Sequence, residues 1–458
     1  MKTYSVTKRR CAGIALILTM IILAIIAALA VSLASIASTS IQITDNRQKA
    51  SNALASAHSG LDVMKYFLNG INASTGSQCL NSIATELNIR FATYAPPITS
   101  INFTSTGTEI NFAQVSIDSA QNQSFTASLS QLDSDTVKLS VTGFSGSFSK
   151  TITADLNVVS RGSSVFNYGV ASKGPLQMSG QAEITGVDLA VASSVYIDGG
   201  LSGDSFSITN QASVAGNVYI ANPYATVSIG SRAVVGGESG AAAYNHVILD
   251  TPAAQFPTPN PSFFESYATG PVITSQTQIS SYTVLNNAKI APNTNPTFAS
   301  NIAINGVLFI EQPNVVTFSG QATVRGIIVG DGVVGPSTSA NKLHFSGQVH
   351  CFDVSTLQGA EFDAIKQQTG TFIIAPGFSA EFSGQTNVSN GAIAASGIKF
   401  TGQAGGTING SMINYSSQPV VLSGQSSLFF NRSGTEINPA GFSPVKQLDY
   451  LPGTYAEP

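Results

Sequence analysis

Six times in this chain an apolar residue is followed by Ser or Thr and then Gly-Gln. The copies are Met178–Gln181, Phe318–Gln321, Phe345–Gln348, Phe382–Gln385, Phe400–Gln403 and Leu422–Gln425. A second signature partly overlaps them: Gln181-Ala-Glu-Ile-Thr-Gly186, Gln211-Ala-Ser-Val-Ala-Gly216, Arg232-Ala-Val-Val-Gly-Gly237 and Gln321-Ala-Thr-Val-Arg-Gly326. Neighbouring copies lie 18 to 37 residues apart, with one large gap. Irregular repeats of this length, built of short β-runs with Gly and Asn corners, imply a β-solenoid (parallel β-helix) over residues 166–435. Rungs stack about 4.8 Å apart. The apolar residue then points inward, and glycine takes a corner that other residues resist. On this reading Gln181, Gln321, Gln348, Gln385, Gln403 and Gln425 stack as a structural row, with a sugar-binding row as the functional alternative.

The other strong constraint lies at the N-terminus. No charge occurs from Cys11 to Thr44, directly behind Lys8-Arg9-Arg10. About 20 apolar residues cross a bilayer core, whereas a secretory h-region has only about 7–15. The run is therefore a single membrane helix. Basic residues before it favour a cytoplasmic N-terminus, with the remainder periplasmic or extracellular. Beyond Asp45 the pattern becomes amphipathic: Ala50, Ala53, Leu54, Ala57, Leu61, Met64, Phe67 and Leu68 recur at three- and four-residue steps until Asn69-Gly70. One helix over residues 14–70 is predicted, with its second half docked on a soluble domain. A plain uncut signal anchor accounts for the same charge pattern. A cleaved secretory signal ending near Ala28-Leu29-Ala30 fits less well, because the apolar run continues past the cut.

A short basic leader ending in glycine, ahead of a long apolar helix that becomes amphipathic, resembles a type IV prepilin. More narrowly, Arg9-Arg10-Cys11-Ala12-Gly13-Ile14-Ala15-Leu16, with Asn46-Arg47, Ala50, Ala53 and Gly60-Leu61, resembles the PilX-like N-terminal segment of minor pilins and pseudopilins. The resemblance covers about the first seventy residues. It implies a leader over 1–13, cut by prepilin peptidase between Gly13 and Ile14, and partners among other pilin or pseudopilin subunits. Major pilins place glutamate fifth in the mature chain, where Leu18 stands here. A buried unpaired charge is costly, so this departure suits a minor or terminal subunit.

From Thr99 to Arg161 the period switches to two, as in Phe125-Thr-Ala-Ser-Leu129 and Val137-Lys-Leu-Ser-Val141. Alternation implies one solvated face, hence a small antiparallel β domain over residues 96–161 covering the amphipathic helix. Tyr94-Ala-Pro96-Pro97 reads as the linker into it. The fold class is thus mainly β: a long N-terminal helix, an antiparallel sheet, then the solenoid. Ala212–Gly237 also resembles a bactofilin rung sequence, which implies the same β-helix. Four prolines from Pro252 to Pro261, and the Asn/Ser/Thr-rich stretch after them, mark an excursion at about 250–300. The proline-bearing tail, 436–458, is expected to cap the last rung.

Composition narrows the function classes. Only 10% of residues are charged, and apolar content is 43%, ample for a large core. Formal net charge is −4, and losing Lys2, Lys8, Arg9 and Arg10 would make it −8. That balance argues against nucleic acid as a partner. Cys79 and Cys351 fall in different domains and read as two buried thiols, a single bridge being the alternative. No cofactor pattern, zinc spacing, phosphate loop or nucleophile elbow occurs. His344, His350, Cys351 and Asp353 cluster in sequence, with the two histidines placed by parity on one side. Asp198 and Asp331 sit in turns, where a calcium role is the rival of turn chemistry. Glu361 and Asp363 are spaced for one face of a strand, the spacing an acid pair would need. The leading expectation is a structural, non-enzymatic filament subunit that displays its solenoid for adhesion or assembly, to a surface glycan or protein. The alternatives are an anchored β-helix adhesin or scaffold outside any filament, and a polysaccharide-active β-helix enzyme.

Overall fold

The computed structural model describes residues 12–93, 101–199, 204–335, 339–384, 391–432 and 438–457. The chain is mainly β, with one long N-terminal helix, an antiparallel sheet and a solenoid of parallel strands. It forms two compact units, one made of Met1–Val159 and Lys446–Pro458, the other of Ser160–Val445. The leader residues Met1–Cys11, the Tyr94–Pro97 linker and Gln385 lie outside the described residues.

In the first unit, helix α1 (Ala12–Leu68) follows from an unbroken series of good helix formers. It stops where Gly70 takes φ +67°, the left-handed conformation that ends helices at glycine. Its buried stripe is Ala53, Ala57, Leu61, Met64, Phe67 and Leu68. That stripe lies on an antiparallel sheet of β1 (Phe103–Ser105), β2 (Glu109–Asp118), β3 (Gln123–Gln131), β4 (Thr136–Ser145) and β5 (Phe148–Arg161). Contact is closest at Gly143 of β4. A side chain there would collide with the Ala53 carbonyl and the Ala57 nitrogen, so helix and strand meet backbone to backbone. A second helix, α2 (Cys79–Thr93), which the sequence reading passed over, buries Leu80, Ile83, Leu87 and Phe91 in the same core. Its Arg90 donates to the carbonyls of Phe67 and Asn69, each at 2.9 Å. Carbonyls left without helical partners at the end of α1 are thereby satisfied.

The tail corrects the first expectation. Val445–Tyr450 is a strand beside β5 in this sheet. Ile71 and Ala73 bond to its other edge, and Ala456 bridges Thr153 of β5. Among its described residues the tail pairs Phe442–Ser443 with Thr258–Pro259 and then completes the first sheet, in place of the expected cap on the last rung. The chain leaves the sheet along β5 and returns along its neighbour, which makes the solenoid an insertion.

Among the described residues the second unit has three sheets, parallel but for the pair Val234–Val235 and Glu238–Ser239, around one core. In the sheet that carries the phenylalanines, spatial order differs from chain order. It runs Thr226–Ile229, Asp204–Ile208, Leu176–Met178, Val420–Leu422, Ile398–Phe400, Ser379–Phe382, Asn341–Phe345, Asn314–Phe318, Thr297–Phe298. The chain starts in the middle, winds to one end by Ile248, crosses to the other, and winds back. Its last rung lies directly on its first, with Leu422 opposite Met178. Stacking in chain order, implicit in the repeat reading, holds within each half and is broken where the last rung meets the first. The edge that the tail was to protect is covered by the first rung. The excursion is also shorter than expected, since strands resume at Val272–Ile273 and Thr283–Ile290.

Inside, Phe298, Phe318, Phe345, Phe382 and Phe400 form a stack with centroids 4.5 to 5.1 Å apart, matching the rung spacing. Four of them, Phe318, Phe345, Phe382 and Phe400, are the residues ahead of the Ser/Thr-Gly-Gln motif, Phe298 precedes Ala-Ser-Asn instead, and all five are buried. A second sheet is buried on both faces, and its strands read as apolar runs such as Ile302–Ile310 and Thr371–Ala375. Its outer face is covered by Phe256, Phe264 and Tyr267 from the crossing segment. Val354, Leu357, Phe362 and Ile365 of a 3-10 loop complete the cover. Lys289 fastens the crossing by reaching Glu265 and Glu311 at 3.0 and 2.9 Å.

Candidate functional site

The helix α1 changes character along its length. From Leu16 to Gln48 every side chain is exposed, and its best 18-residue window has a mean hydropathy of 3.0 with nothing buried. This helix is long and apolar enough to cross a membrane. Leu18 is 57% exposed. Ala50 and Leu54 are half-buried and Leu61 is buried, so docking begins about where the charges Asp45, Arg47 and Lys49 appear. Within the apolar part Thr19 and Thr39 turn their hydroxyls onto the carbonyls of Leu16 and Ser35, each at 2.9 Å. A donor satisfied by its own helix is tolerated in hydrocarbon. Gly13 and Ile14 fall on the helix backbone, and their side chains lie outside the described residues.

The glutamines form exposed rows on the solenoid. Gln403 donates to Gln425 at 3.2 Å, Gln425 to Gln181 at 3.1 Å and Gln181 to Gln211 at 3.0 Å. Gln321 donates to Gln348 at 3.1 Å. Residues far apart in sequence join one row because the last rung seats on the first. Gln211 was not among the Ser/Thr-Gly-Gln copies, because Asn210 replaces the glycine; it takes φ +60° and makes the same corner. Its signal was the second signature, which begins at Gln211.

The chemical candidates separate. His344 lies in Asn341–Phe345 and His350 in Gln348–Phe352, strands of different sheets, so the parity argument does not bring them together. Among the described residues no group of three His, Cys, Asp or Glu side chains converges. Glu361 and Asp363 lie in and beside a 3-10 turn, not a strand, and Asp363 pairs with Lys366 at 2.9 Å. The strand spacing that was to pair them is absent. Asp331 accepts from the Gly332 nitrogen at 2.7 Å, an ordinary turn contact. Cys79 and Cys351 are free and buried, and burial raises both thiols above their usual range. Asp198 is more unusual. Burial pushes its carboxyl up, against a hydrogen bond from Tyr196 and the charge of Lys173. The Tyr196 hydroxyl in turn accepts from the Ala254 nitrogen of the crossing segment at 2.8 Å.

No family model matches the chain, and no curated protein matches its sequence. Among solved structures, the competence-associated pilin ComZ from Thermus thermophilus aligns at 12% identity. The alignment covers 90% of this chain and 98% of that one, with a TM-score of 0.26. A score at that level does not establish a common fold.

Proposed function

We propose that this chain is a minor-pilin-like structural subunit, anchored through α1 and displaying its solenoid outside the inner membrane. The observation that carries this reading is the two-part helix. Its first half offers only apolar surface, which a bilayer can store and neighbouring subunits can later bury. Its second half is docked on an antiparallel sheet through Ala53, Ala57 and Leu61. The resemblance of Arg9–Leu16 to a prepilin cleavage segment points the same way, with prepilin peptidase acting between Gly13 and Ile14. Leu18 suits a subunit that brings no carboxylate into an apolar filament core. The role proposed is structural.

Mass spectrometry of the mature N-terminus decides between a filament subunit and a static anchor. The expected terminus is Ile14, abolished by Gly13→Leu. A terminus at Met1 in filament-producing cells would overturn the filament reading and leave an anchored scaffold.

A further inference from the structure

We propose that the row Gln403–Gln425–Gln181–Gln211 is a binding ridge for an extended, uncharged polysaccharide. The row is more ordered than the solenoid requires. The backbone nitrogens of Gln425, Gln181 and Gln211 already donate to Gly402, Gly424 and Gly180 of the preceding rung at 2.7, 2.6 and 2.9 Å. The corner is therefore satisfied without the side chains. All four glutamines are exposed. Immobilising such a side chain costs up to about 1.5–2 kcal/mol. An amide hydrogen bond that replaces water returns about 0.5–1.5 kcal/mol. Stability alone gives little reason for the same long amide on successive rungs, and any small polar residue would serve.

The ladder does supply a pre-set recognition surface. Gln425 and Gln181 each spend one N–H and one carbonyl lone pair on their neighbours, leaving one donor and one acceptor free. These repeat at the rung spacing of about 4.8 Å, so the row offers roughly 14 Å of fixed, alternating polarity. Half-exposed hydroxyls of Thr401, Ser423, Ser179 and Thr209 run beside it. On the other side lie Gly405, Ser427, Glu183 and Ser213, where Glu183 is the charge flanking the row, and the exposed Arg232 follows only beyond its end, one rung past Gln211. Neutral hydroxyls match this surface, and the Glu183 carboxylate disfavours an anionic chain. Straight β-linked glycans repeat at nearly the rung spacing, so successive sugars meet successive amides. Groups already fixed lose little freedom on binding.

The proposal deepens the display reading by naming a ligand class, and it rests on that reading only for the solenoid's place outside the membrane. The test uses the full chain in detergent micelles, sedimented with insoluble cellulose or chitin, with soluble alginate as an anionic control by gel mobility. Retention on cellulose or chitin, without an alginate shift, is expected. The double variant Gln425→Ser, Gln181→Ser should lower retention about tenfold while its melting temperature stays within about 2 °C. If that variant does not fold, Gln211→Ser at the row's end should still lower retention. No retention on either solid, undiminished retention by whichever variant folds, or a preference for alginate would overturn the ridge. An Ile14 terminus without retention removes the ridge alone, and a Met1 terminus with retention removes the filament reading alone.

Discussion

Helix α1 and β4 meet at Gly143 with no side chain between them, whereas the walls of the solenoid are held apart by a stack of five phenylalanines. In the first unit one sheet face is covered through a contact that only glycine, Ala53 and Ala57 permit. In the second, each rung repeats its neighbour's packing, and the core continues above and below any position. A wrong atom in the first unit therefore has no alternative place to go. A missing ring in the second leaves a cavity that its neighbours can partly close.

That difference is open to direct measurement, beginning with the largest effect. Gly143→Val should separate α1 from the sheet at a cost beyond about 4 kcal/mol, seen as early loss of hydrogen-exchange protection in β3 and β4 with the solenoid's protection intact. If the solenoid melts with it, the two units are not independent in the way the contrast requires. Phe345→Ala, at the middle of the stack, should cost about 3–5 kcal/mol, read as a lower unfolding midpoint of the solenoid alone. A loss spread over both units would break the comparison from the other side.

The smallest effect sharpens it. Asp198 has its carboxyl raised above the ordinary value of 3.8 by burial, so the folded chain holds that proton more tightly than the unfolded one. This contribution is fully present below the unfolded value and is lost as pH rises through the folded one. Asp198→Asn cannot ionise, so its melting temperature should match the wild type near pH 3 and exceed it as pH approaches 7. A wild type that gains on the variant with rising pH would show that Lys173 outweighs burial at this site.

Much of the local structure was legible because it obeys short-range rules. Three- and four-residue spacing from Ala50 to Leu68 marks the docked half of α1, and alternation at Val137–Val141 marks β4. Phenylalanine before Ser-Gly-Gln marks an inward ring. What escaped was pairing between distant segments. Nothing near Leu422 says that its neighbour is Met178, and nothing near Lys446 says that the strand belongs beside β5, because strand edges carry only backbone groups common to all residues. The Glu361 and Asp363 error is of another kind. Their spacing suits a strand, but Gly359 and the packing of Phe362 and Ile365 turn the segment into 3-10 turns. On the ridge, three of the four glutamines follow from the motif, and only the substitution of Asn210 for glycine hid Gln211.

The closure of the last rung on the first also fixes when the molecule can be finished. Gln181 and its partner Gln425 are 244 residues apart. During N-first synthesis, the rungs around Val170–Ile229 emerge early with one parallel edge bare. That edge waits until residues 412–430 arrive. Pairings so remote in sequence form slowly and leave the nascent chain open to aggregation. The return strand, Val445–Tyr450, comes later still, so the sheet that holds α1 is completed only after the whole insertion has been made. A chain stopped short of Lys446 has every rung of the solenoid but lacks the edge strand of its first unit. The order of strands thus ties the closing of the sheet under α1 to the synthesis of Val445–Tyr450, after every rung has been made.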